Sequence, residues 1–306
     1  AFATYVAFFP QLVAGPITRW REVGDQIRAI PWFRLDWTQA DIGLRFVVIG
    51  YAFKVILADG LSAATAPLMA ADSLHAFDLA YLMLGYSFRI YFDFCGYSLI
   101  AIGLARMFGV VLPRNFAMPY RALNPREFWR RWHMTLSFWL RDYLYIRLGG
   151  NRRYVRNILI TFLLCGLWHG AGFQFIAWGG YHALGVLAYH ALRKHWDRLP
   201  RLLQWLVTFV FVSIGWLLFI YDLPTLATLL DGLAAGPVDD LQVTGAMLAW
   251  LAAAAVVCLA IDPDRLAGAK APHTARAVAG GICYGVLMIA ALVLIDRSEA
   301  FIYFRF

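Results

Sequence analysis

The chain has 306 residues, of which 61% are hydrophobic and 16% aromatic while only 15% are charged, and its formal net charge is +8. Soluble domains hold about 25% charged residues, so this composition excludes an ordinary soluble enzyme and indicates a polytopic membrane protein. Such a chain is expected to be all-α, because backbone in lipid must satisfy its own polar groups and continuous apolar runs of this length do so as helices.

Read in chain order, nearly uncharged runs fall at about 1–18, 43–58, 79–105, 157–192, 202–221, 244–261 and 277–295, each long enough to cross or deeply enter a bilayer. The chain opens with Ala1-Phe2-Ala3-Thr4 in mid-stretch, without an initiator Met or the charged start of a signal peptide, so further N-terminal membrane sequence is expected ahead of it. The connections differ in sign. One set is basic: 19–41 (Arg19, Arg21, Arg28, Arg34), 106–156, 193–201 (Arg193, Lys194, Arg198, Arg201) and 262–276 (Arg265, Lys270, Arg276). The other set, 59–78 (Asp59, Asp72, Asp78) and 222–243 (Asp222, Asp231, Asp239, Asp240), has no Lys or Arg. The positive-inside rule puts the basic set in the cytoplasm, and the alternation works only if 157–192 enters and returns.

Charges inside the apolar runs need partners. Lys54 is expected to snorkel or to find Asp59. Arg89 and Asp93, four apart, are expected to pair with each other, since either charge alone costs at least a few kcal/mol at depth. The four cysteines, Cys95, Cys165, Cys258 and Cys283, sit far apart in apolar sequence without metal-ligand spacing; they read as small packing groups, and no metal is expected.

Residues 106–156 hold 11 Arg against Glu127 and Asp142, a local excess larger than the charge of the whole chain. Positive-inside anchoring and lipid headgroup contact explain part of this. The arginines also alternate with Phe128, Trp129, Trp132, Phe138, Trp139, Tyr143 and Tyr145, which suits a helix lying in the interface. That surface can hold an anionic donor, and the aromatics fit it better than nucleic acid, so no nucleic-acid partner is expected. Arg130 and Arg131 are candidate donor-binding residues. Gly149-Gly150-Asn151-Arg152-Arg153 offers backbone N–H groups and guanidinium forks for phosphate, or is only a charged turn.

The run 157–192 contains 36 residues without Asp, Glu, Lys or Arg, and in it lies His169, within Gly166-Leu167-Trp168-His169-Gly170-Ala171-Gly172. At about 1.5 Å per residue, His169 is roughly 18 Å from Asn157, near mid-bilayer and at the expected turn of the excursion. An imidazole at that depth is a functional-site candidate. In isolation it could equally be a hydrogen-bonded structural group. His182, His190 and His195 fall toward the returning cytoplasmic end and read as packing or snorkelling groups. Cys165, four before His169, shares its helix face and could in principle form a Cys–His dyad.

Six segments occur in a telling order: Phe9-Pro10-Gln11-Leu12-Val13-Ala14-Gly15-Pro16-Ile17, Tyr91-Phe92-Asp93-Phe94-Cys95-Gly96-Tyr97-Ser98, Glu127-Phe128-Trp129-Arg130-Arg131-Trp132-His133, Arg141-Asp142-Tyr143-Leu144-Tyr145-Ile146, Gly149-Gly150-Asn151-Arg152 and Gly166-Leu167-Trp168-His169-Gly170. In this order the chain resembles the membrane-bound O-acyltransferases, in particular the bacterial branch that serves alginate O-acetylation. The likeness runs from Phe9 to about Leu192, and Phe301-Ile302-Tyr303-Phe304 resembles that branch's tail. One departure is Cys95, where the family pattern leads one to expect Ser. Another is at the N-terminus, where the family pattern leads one to expect further membrane helices ahead of Ala1.

The resemblance implies one membrane domain over 1–306, with interfacial or re-entrant helices around a central catalytic tunnel, in the bacterial inner membrane. It implies that His169 is catalytic, with His133 at the family's second recurrent polar position. No cofactor is held permanently; the co-substrate is an acyl thioester, acetyl-CoA or an acyl carrier protein. The implied partners are membrane lipid, a periplasmic acetyltransferase-like protein and a polysaccharide acceptor such as alginate. In the mechanism expected, His169 takes the proton of an acceptor hydroxyl, which attacks the thioester carbonyl. The oxyanion would be met by the His133 ring, the Trp168 indole or N–H groups of the glycine turn. D-alanyl or other acyl transfer to a cell-wall polymer is the alternative. A transporter using Asp93, Arg89 and His169 is the rival from another class, weakened by the lack of an evident inverted repeat.

Overall fold

A computed structural model of the chain describes residues 2–12, 15–30, 36–71, 73–235, 241–268 and 274–301. Val13, Ala14, Arg34, Asp72, Asp239, Asp240, Lys270 and the tail 302–306 therefore lie outside the described residues. Among the described residues every regular element is helical. In order they are α1 (Phe2–Val6), α2 (Phe9–Leu12), α3 (Trp20–Arg28), α4 (Trp37–Tyr51), a π-helical segment Ala52–Ala58, α5 (Asp59–Met69), α6 (Ala76–Met107), α7 (Pro125–Arg131), α8 (Met134–Leu140), a π-helical turn Arg141–Tyr145, α9 (Tyr154–His169), α10 (Phe173–Trp196), α11 (Arg201–Ile220), α12 (Leu223–Ala235), α13 (Gly245–Ala260), α14 (Pro263–Gly268) and α15 (Thr274–Leu294).

Among the described residues, three helical stretches are long and apolar enough to cross a membrane: Trp37–Met69, Ala76–Met107 and Arg201–Ile220. Gly245–Ala260 and Val278–Leu294 are shorter apolar helices. The run 157–192 becomes the α9–α10 hairpin, as the charge alternation requires. The run 1–18 departs from expectation. Its described residues form two short helices, because Pro10, at the start of α2, supplies no N–H donor to continue α1. The run 43–58 is longer than charge counting suggested, since α4, the π segment and α5 are continuous and Asp59 begins α5 rather than a loop.

The chain divides into two compact units. The first comprises residues 1–60, 89–117 and 256–305. Here α4 crosses α6 at glycines seven apart: a Cβ on Gly50 would stand 2.6 Å from the Gly96 carbonyl oxygen, and one on Gly43 2.6 Å from that of Gly103. Small residues at a helix crossing let backbones approach, which is how apolar helices gain contact in lipid. One turn beyond, Lys54 Nζ lies 2.5 Å from Asp59 Oδ1 and 2.9 Å from Asp93 Oδ1. Arg89 instead reaches Glu299, at 3.0 Å. The anticipated Arg89–Asp93 pair is thus replaced by two pairings with other elements, because the fold brings acids and a lysine distant in sequence closer to each charge.

The second unit comprises residues 61–88 and 118–255. The hairpin α9–α10 packs tightly because Gly166 faces the Phe175 carbonyl and Gly179 faces that of Phe162, where any Cβ would collide. Helix α11 lies along α10, and α7 packs on α10.

Contacts between connections agree with the charge assignment. The buried Asp78 carboxylate accepts from the N–H groups of Gln242, at 3.1 Å, and Val243, at 3.0 Å, joining the two acidic connections. Among the basic ones, the Trp196 indole donates to the Leu123 carbonyl at 2.9 Å, and the Val111 N–H donates to Gln26 at 2.8 Å.

Candidate functional site

The interfacial helix expected over 106–156 is several short helices. Asn124 caps α7, its side chain accepting from the Glu127 N–H at 2.8 Å, with Pro125 preset in the first turn. Helix α7 stops at Trp132, and His133 follows with φ 40°, a left-handed conformation that costs a non-glycine residue about 1–3 kcal/mol and is typical of functional sites. The break turns the buried His133 ring inward and starts α8 in a new direction.

Farther along, Asn157, fully buried in the first turns of α9, donates to the carbonyls of Leu148, at 3.2 Å, and Gly150, at 2.7 Å. Arg156 donates to the same side chain at 2.9 Å. The Tyr145 hydroxyl donates to Asn151 at 2.8 Å. These bonds fold the 141–153 segment against the start of α9.

Within this unit these elements line an open cavity of about 550 Å³, the size range of small-molecule sites. One part of its wall is polar and cationic: Arg126, Arg130, Arg141, Tyr145, Gly150 and Asn151. The rest is mostly apolar, with Trp129, Trp132, Leu136, Phe162 and Cys165, and carries the two imidazoles His133 and His169. Asp142 accepts from Arg141 at 2.6 Å, and that bond raises the guanidinium's pKa further, so it is cationic at any relevant pH.

His169 is the last residue of α9, directly before the Gly170-Ala171-Gly172 turn. It is 7% exposed, with its ring edge-on to Trp178 at 5.2 Å and Phe219 at 5.3 Å between centroids. The two histidines named from sequence therefore share one cavity. So do Arg130, Gly150 and Asn151, whereas Arg131, Gly149 and Arg152 are not part of its wall; Arg131 pairs with Glu127 at 2.6 Å. Trp168 is 58% exposed and is not part of the wall, although its ring lies 6.5 Å from that of His133 and 4.9 Å from that of His169 between centroids. Cys165 is in the wall with His169, as their four-residue spacing requires. His182 is fully buried in mid-helix rather than near a cytoplasmic end, whereas His195 is exposed and the His190 ring lies tilted against Tyr154 at 4.3 Å between centroids. Arg126, Arg141 and Tyr145 were not singled out as binding residues; only the fold reveals which of many arginines face inward.

A helical membrane protein in which α7, α8, the 141–153 segment, α9 and α10 bring two buried imidazoles and three arginines to one cavity has the parts of a membrane group-transfer enzyme. Residues 1–227 match the membrane-bound O-acyltransferase family, and the chain belongs to it. It is similar to the peptidoglycan O-acetyltransferase of Helicobacter pylori, 42% identical over 71% of this chain and 43% of that protein. It is also 42% identical to a "probable alginate O-acetylase" of Pseudomonas aeruginosa, over 71% of this chain and 42% of the other. The teichoic acid D-alanyltransferase of Bacillus subtilis is 34% identical over 70% of this chain and 60% of its own length. The chain thus spans less than half the length of the first two.

Proposed function

We propose that the chain carries the catalytic part of a membrane O-acyltransferase that takes an acyl group, acetyl in the first instance, from a cytoplasmic thioester and delivers it toward an extracytoplasmic polysaccharide. The observation that carries this reading is the shared cavity of His133 and His169 with its cationic wall. The arginines suit the phosphates of a coenzyme A or carrier-protein pantetheine arm. Similarity to enzymes named for peptidoglycan, alginate and teichoic acid supports a polymer acceptor.

In the step proposed, His169 accepts the proton of the acceptor hydroxyl as its oxygen attacks the thioester carbonyl. The C–S bond then breaks, the acyl carbon keeps the new C–O bond, and the thiolate leaves with the proton returned from His169. His133, on the same wall, donates to the transient oxyanion. The bacterial inner membrane as location, surrounding lipid and a periplasmic acetyltransferase-like partner complete the proposal. For transport of an intact solute, Arg89 and Asp93 would have to leave their present ion pairs with Glu299 and Lys54.

The test is transfer of labelled acetyl from acetyl-CoA, or from an acyl carrier protein, to a hydroxyl acceptor by proteoliposomes of the full-length protein. His169→Ala should abolish transfer while inserting normally. Normal transfer by that variant, or solute movement without transacylation, would sink the reading.

A further inference from the structure

The transfer step leaves unused the most deeply buried imidazole in the second unit. His182, on α10, has no exposure, and among the described residues neither Nδ1 nor Nε2 has a hydrogen-bond partner. A buried polar group left so costs about 1–3 kcal/mol, a cost that a leucine there would avoid. The surroundings are nevertheless shaped to the ring: a Cβ on Gly215 of α11 would lie 2.6 Å from Nε2, so that glycine leaves the space the imidazole fills.

The ring closes a triangle. It stands edge-on to Trp129, 4.9 Å between centroids at 84°, and to Trp178, 5.0 Å at 71°, and the two indoles meet each other at 5.4 Å and 83°. Edge-to-face contacts depend on the polar rim of one ring against the π face of the next, so they fix orientation as well as distance. Trp178 is at the same time the wall against which His169 stands edge-on, and Trp129 lines the cavity.

We propose that His182 is a positioning residue for His169, acting through Trp178. This rests on the acyl-transfer reading above. Its imidazole holds the Trp178 indole at the angle that presents His169 to the cavity, and holds Trp129 beside it.

His182→Leu fills the apolar volume without a polar rim. It should lower kcat for acetyl transfer by roughly tenfold to a hundredfold while the donor KM stays within about twofold, the pattern of a lost reacting geometry rather than lost binding. Trp178→Phe should give the same split. The double variant should be no worse than the poorer single, since both break one chain of contacts. If His182→Leu inserts poorly, His182→Gln, which keeps a polar tip, serves in the same cycle with Trp178→Phe. Wild-type kcat in the His182 variant, or full additivity with Trp178→Phe, overturns the proposal. Retained transfer by His169→Ala would instead overturn the acyl-transfer reading, so the two failures are distinct.

Discussion

Asn157 Nδ2 lies 2.7 Å from the carbonyl oxygen of Gly150, and through that bond the first turns of α9 hold the polar wall of the cavity in place. The same amide reaches Leu148 and is itself held by Arg156. Asn157→Ala removes these bonds at a fully buried position, which should destabilise the protein by about 1–3 kcal/mol. Because Gly150 and Asn151 line the site, the donor KM should rise more than kcat falls. Acetyl transfer measured against donor concentration checks this; an unchanged KM would show that the segment is held by other means.

Lys54 sits between two carboxylates with only 10% of its side chain exposed. Lys54→Met should cost about 3–5 kcal/mol, because it leaves buried negative charge uncompensated. Adding Asp93→Asn should return part of that loss. Thermal unfolding of the detergent-solubilised protein will separate the single from the double variant, and a double variant no more stable than Lys54→Met would contradict the pairing.

Gly50 has the Gly96 carbonyl where a side chain would start. Gly50→Val should therefore force α4 and α6 apart in the first unit and cost about 1–3 kcal/mol by overpacking. Gly232→Ala in α12, where a Cβ would meet nothing within 4 Å, should be neutral or slightly stabilising. Equal effects at the two positions would argue against the close crossing.

Asp264 lies in the basic connection 262–276, outside the spanning helices. Burial and the neighbouring Asp262 raise its pKa to about 6, against the opposing pull of Arg114. The folded value is above the unfolded one, about 3.9, so the folded state binds the proton more tightly and stability falls as pH rises through this window. Melting temperature should accordingly increase from about pH 7 to about pH 5 by this group's contribution, and Asp264→Asn should flatten the slope and stabilise at about pH 8 by on the order of 1 kcal/mol. A slope that persists in Asp264→Asn would assign it to another group.

Much of this architecture is legible in the residues themselves. Thirty-six uncharged positions from Asn157 to Leu192, with glycines around one histidine near their middle, specify a hairpin with His169 at its turn, since charge is what bilayer-buried backbone excludes. The alternation of Arg-rich and Asp-only connections likewise anticipates which loops meet, and Asp78 with Val243 and Trp196 with Leu123 bear that out. Less legible were the Arg89 and Asp93 partners. A four-residue spacing makes a pair possible, but Lys54 and Glu299 come nearer only once the chain is folded.

What the sequence by itself determined is the class of protein, its helical content, the grouping of its connections and the identity of both cavity histidines, because hydropathy, charge and motif order are local and one-dimensional. Tertiary structure alone decided which of the 11 arginines between 106 and 156 face the cavity, that Trp168 turns outward, and that His182 stands behind Trp178. Those facts depend on helix breaks at Trp132-His133 and on the packing of α7 and α11 against α10, and contacts between segments distant in the chain leave no periodic mark along it.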